Sequence, residues 1–60
     1  MGKIEIIAVR RGRGCDTYRI RPLVEGLTKA EMIDLCDPNN WGGRVYPCAG
    51  GLYEVEVDTD

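Results

Sequence analysis

Sixty residues make one small domain, and their net charge of −2 disfavours nucleic-acid binding by bulk positive charge. With 43 % hydrophobic residues, no Phe and a single Trp, the core has to come from Ile, Leu, Val and Met, with Tyr at its margins. The three cysteines are too few and odd in number for a disulfide scaffold, and the short apolar N-terminal run, broken by Glu5, is no secretory signal. The expectation is a cytoplasmic protein with free thiols and no membrane-spanning stretch.

Lys3 to Val9 reads as a strand with Ile4, Ile6 and Ala8 on one face and Lys3, Glu5, Ile7 and Val9 on the other. The second face is only half polar, so Ile7 and Val9 predict cover on both sides, by a helix and by a second subunit. Self-association as a homodimer or higher oligomer, through this strand or through a sheet edge, is the partner expectation. Arg10 to Gly14 is a glycine-broken basic loop, and Asp16 to Arg21 resumes the alternation, so the two strands predict a hairpin.

Thr28-Lys29-Ala30-Glu31 is a capping box, flanked by Leu27 and Met32 as a hydrophobic staple. It predicts a helix of about three turns with Met32, Ile33, Leu35 and Cys36 on one face and Glu31, Asp34 and Asp37 opposite, stopped by Pro38. Asp37-Pro38-Asn39-Asn40 has turn chemistry. The pattern also resembles the opening of a calcium loop, but Trp41 and Cys48 stand where oxygen ligands belong. Arg44 to Cys48 predicts an edge strand, because Pro47 cannot donate to a ladder, and Leu52 to Asp58 a fourth strand. The fold class is α+β: a ββαββ domain with a four-stranded antiparallel sheet and one helix on a face.

Charge is segregated along this order. Residues 10 to 21 hold five Arg against Asp16, and residues 52 to 60 hold Glu54, Glu56, Asp58 and Asp60 with no base. Arg10, Arg11 and Arg13 at a hairpin tip, with Arg19 and Arg21 from one strand face, form a basic ribbon whose planar guanidinium forks suit phosphate. Tyr18 alternates to the opposite face, away from any base-stacking role beside Arg19. Opposite charges on neighbouring strands also attract, so Arg19 and Arg21 are expected to meet Glu54 and Glu56.

The leading expectation is a non-enzymatic nucleic-acid-binding module, DNA before RNA, acting through Arg10, Arg11, Arg13, Arg19 and Arg21. Its rival is a regulator or inhibitor that binds a nucleic-acid-binding protein, using Trp41, Glu54, Glu56 and Asp58 as an imitation of a phosphate backbone. Without His or Ser the common nucleophile-base sets are missing. What remains for catalysis is metal-dependent phosphodiester cleavage with Asp16 as a ligand beside Arg13 and Arg19. Cys15, Cys36 and Cys48 lack the close pairs of a zinc site, and neither a cofactor nor a resident metal is expected. No motif singles out a family.

Overall fold

The computed structural model describes residues 2–37 and 42–59. β1 (Ile4–Arg11) and β2 (Cys15–Pro22) form an antiparallel hairpin, followed by α1 (Lys29–Cys36), β3 (Gly43–Pro47), a 3-10 turn at Ala49–Gly51 and β4 (Tyr53–Asp58). The sheet runs β1-β2-β4-β3 with every neighbouring pair antiparallel, so the α+β architecture read from the sequence is the one observed. β4 sits inside the sheet, between β2 and β3, although it follows both in the chain. Pro47 lies on the outer strand β3, where its missing N–H interrupts no interior ladder. Among the described residues no helix is long and apolar enough to cross a membrane.

One face of the sheet carries the core. Ile20 and Val55 are fully buried, Val57, Met32 and Cys36 nearly so, and Ile4, Tyr18, Leu27, Ile33, Val45 and Tyr53 pack around them. The register explains the grouping: Val55 stands opposite Tyr18 on one side and Val45 on the other, and Ile20 opposite Tyr53, so all these side chains leave the sheet on the same face.

Helix α1 begins as the sequence dictates. Thr28 Oγ1 accepts from the Glu31 amide at 3.2 Å, and the Glu31 carboxylate accepts from the Thr28 amide at 3.2 Å. It is shorter than expected, eight residues rather than about three turns, and its buried stripe is narrower. Met32 and Cys36, four residues apart, point into the core, whereas Leu35 is 46 % exposed. Asp37, expected on the polar side, is buried and accepts the Gly42 N–H at 2.9 Å, which ties the helix end to the start of β3. Helix and sheet approach closely at Gly43, where a Cβ would stand 2.8 Å from the Glu56 carbonyl oxygen and 3.0 Å from Ile33 Cγ2. α1 packs chiefly over β4 and β3, so beyond Ile4 the same face of β1 is left exposed at Ile6 and Val9.

The hairpin departs from simple alternation. Ile6 is opposite Ile20 but Ala8 is opposite Arg19, so Ile7 is an extra residue, a bulge that resets the pleat. A one-residue shift exchanges the faces of everything beyond it. Ala8, expected on the core face, therefore turns to the open face, and Val9, expected on the open face, turns to the helix side. Arg10 and Arg11 extend β1 rather than belonging to the loop, which shrinks to Gly12, Arg13 and Gly14. Gly14 has φ 74°, the left-handed conformation that favours glycine.

Candidate nucleic-acid interface

The face away from the helix is polar and arises directly from the register. Arg10 lies opposite Thr17, and Thr17 opposite Glu56. Ala8 lies opposite Arg19, and Arg19 opposite Glu54. Because Ala8 and Thr17 are short, a shallow groove of ≈ 200 Å³ opens between Arg10 and Arg19, bounded also by Val9 and Glu54. The bulge makes this groove. With regular pairing, Ile7 and Val9 would occupy those positions and Arg10 would point to the helix side.

The five arginines singled out by the sequence are not equivalent. Arg19 donates to Glu54 at 2.9 Å, as expected, and this bond with its coulombic attraction raises the Arg19 pKa above its ordinary value. Arg21 pairs with Glu5 of β1 at 3.1 Å rather than with the acidic strand, because Glu5 stands opposite Arg21 in the hairpin. Arg11 leaves the group altogether: it lies on the helix side and donates to the buried Asp16 carboxylate at 2.7 Å. Among the described residues, Arg10 and Arg13 have no carboxylate within 4.0 Å.

The acidic stripe is fully engaged over the part described. Glu54 holds Arg19, while Glu56 and Asp58 face Arg44 of β3 at 3.2 and 3.9 Å. The bond to Glu56 is the main reason the Arg44 pKa is raised. Arg44 was not singled out from the sequence, although its alternation with Val45 put it on the face opposite the core; what could not be read was that β3 borders β4. Trp41, named for the protein-binding alternative, and Asp60, the last acid of the stripe, lie outside the described residues.

For the catalytic reading, Asp16 is occupied by Arg11, and among the described residues no three His, Cys, Asp or Glu side chains converge on a metal-sized site. Cys36 is buried, which pushes its thiol pKa up, and Cys15 and Cys48 are partly exposed and unlinked. The open face is a row of ion pairs with cationic surplus at Arg10, which lines the groove, and at Arg13 in the turn that follows β1. Comparison of the chain with protein-family models, curated proteins and solved structures finds no match in any of the three.

Proposed function

We propose that this chain binds the phosphate backbone of nucleic acid, DNA before RNA, with the hairpin end of the open face as its contact. The observation that carries the reading is the groove between Arg10 and Arg19. Two guanidiniums border a depression lined by Ala8 and Thr17, and Arg13 stands in the three-residue turn that joins the same two strands. Guanidinium forks and a threonine hydroxyl all donate to phosphate oxygen, and such contacts position a protein on nucleic acid without reading sequence.

The ion pairs set the expected strength. Five arginines neutralising phosphates on duplex DNA would give a log-log salt slope near −4.5, but two uncompensated ones, Arg10 and Arg13, give about −1.8 per chain. Fluorescence anisotropy of a labelled duplex titrated at several salt concentrations measures this slope. Arg10→Ala with Arg13→Ala should remove most binding, whereas Arg21→Ala should weaken it little. A flat salt response, or affinity unchanged in the Arg10/Arg13 double variant, overturns the proposal. The protein-partner alternative rests on the acidic strand, and its support is weaker because Glu54, Glu56 and Asp58 are already paired with arginines of the same sheet. Glu54→Lys with Glu56→Lys would abolish capture of such a partner from nuclease-treated lysate, and would strengthen DNA binding on the favoured reading.

A further inference from the structure

The outer edge of β1 is built to pair with itself. The Leu23 N–H donates to the Lys3 carbonyl at 2.8 Å, so Lys3 and, by alternation, Glu5 direct their backbone groups at β2. Ile4 lies opposite Pro22, which has no N–H to offer, and Ile4 and Ile6 turn their N–H and C=O groups outward. Beyond the bulge, Ala8 and Arg10 share the open face with Glu5 and bond inward, which leaves Val9 and Arg11 outward. The exposed edge thus offers backbone groups at 4, 6, 9 and 11, a spacing that reads the same in both directions about the Ile7–Ala8 junction.

We propose that a second copy of this chain pairs antiparallel along that edge, with each residue opposite the one that brings their numbers to fifteen, so that two sheets become one of eight strands. In this register Ile4 faces the second copy's Arg11 and Ile6 its Val9, each pair exchanging two backbone hydrogen bonds. Side chains agree with the backbone. Ile6 and Val9, 48 % and 42 % exposed on the part of the core face that α1 leaves bare, cover their counterparts across the two-fold axis. On the open face Glu5, which accepts from Arg21 of its own chain, also meets the second copy's Arg10, opposite charges on a non-hydrogen-bonded pair where side chains come closest. A register centred on Glu5 or on Arg10 instead sets like charges opposite each other and leaves half of the outward groups unpaired. An unpaired edge of eight residues without proline is a liability in a monomer, and this pairing removes it.

The dimer stands independently of the nucleic-acid reading and is compatible with it. Next to the two-fold axis Arg10, Arg19 and Arg21 of both copies outnumber Glu5 and Glu54 of both, so this strip stays positive, while Glu56 and Asp58 lie with Arg44 at the far side of each sheet.

Sedimentation equilibrium of the full chain tests the association, which should give twice 6.7 kDa. Amide exchange should show Ile4, Ile6, Val9 and Arg11 protected in the dimer and fast after dilution. Arg10→Glu, at a residue with no carboxylate partner in its own chain among those described, should weaken the dimer about tenfold, and adding Glu5→Arg should restore it. Register is read by cross-linking in a Cys15→Ser/Cys48→Ser background: Ile6→Cys mixed with Val9→Cys should form a covalent dimer on oxidation, and neither should do so alone. A chain that sediments as a monomer with those four amides exchanging fast overturns the proposal. So does a covalent dimer of Ile6→Cys by itself, since that register is excluded here.

Discussion

Arg11 reaches the buried carboxylate of Asp16 at 2.7 Å, and it does so because Ile7 is one residue too many in β1. The extra residue turns Arg11 to the helix side and its neighbour Arg10 to the open one. Two adjacent arginines thereby acquire different work, one holding the end of the core together and the other bordering the groove.

Removing Ile7 should accordingly be tolerated. Both halves of the hairpin already hold their pairing on either side of the bulge, so the deletion closes the ladder and keeps Arg11 opposite Asp16. Deleting Thr17 from β2, which is paired on both sides, leaves no bulge to absorb the slip. Urea titration followed by circular dichroism should show a cooperative transition for the first variant and none for the second.

Arg11→Ala leaves the Asp16 carboxylate buried without its guanidinium partner, and should cost about 1 to 3 kcal/mol in urea unfolding. Arg10→Ala and Arg13→Ala should stay within about 0.5 kcal/mol of the parent. An Arg11 loss no larger than the other two would show that Asp16 finds another donor.

Gly43→Ala brings a methyl group against the Glu56 carbonyl and the Ile33 side chain, so α1 or β3 has to shift. Overpacking of this kind costs about 1 to 3 kcal/mol. A Gly43→Ala loss in urea midpoint that is smaller in an Ile33→Ala background, which lacks both γ carbons, than in the parent would locate the clash.

The capping box gives the helix a pH dependence. Hydrogen bonds from the Thr28 backbone and then its side chain hold the Glu31 carboxyl below its ordinary value of 4.5, so its stabilisation is present above 4.5 and is lost as pH falls through the lowered folded value. Thr28→Ala should cost about 1 kcal/mol at neutral pH and reduce the acid-side slope of the melting temperature.

Burial raises the Cys36 thiol above its ordinary 9.0, so the folded chain should consume two equivalents of a thiol reagent quickly, at Cys15 and Cys48, and the third only on unfolding. As pH rises past 9.0 the unfolded chain ionises Cys36 and the folded chain resists, which lowers stability in that window. Cys36→Ala should flatten this alkaline decline.

Much of the architecture could be read from the chain because it rests on local rules. Thr28 and Glu31 announce the helix start, Pro47 announces an outer strand, and the alternation of Tyr53 to Asp58 announces β4. Non-local relationships were the illegible part. Nothing in Arg21 or Arg44 says which strand lies beside it, so Arg21 was matched to the wrong acid and Arg44 was overlooked. Alternation alone also cannot reveal an interruption: Ile7 through Val9 reads equally well with or without an extra residue, and the faces of Ala8, Val9, Arg10 and Arg11 all hang on that choice.

The place of β4 has a consequence for how the molecule assembles. Val55 and Val57 supply a large part of the core, yet they arrive after every other strand and have to slot between β2 and β3. Until β4 reaches β2, local contacts can build only the β1–β2 and β3–β4 hairpins, and two isolated strands are marginal in water. A positively charged hairpin then waits for the one that carries the acids, with more than thirty residues between Arg19 and Glu54 to be closed first. Folding should be slow for so short a chain and all-or-none, and the arginine face comes into existence only at its last step.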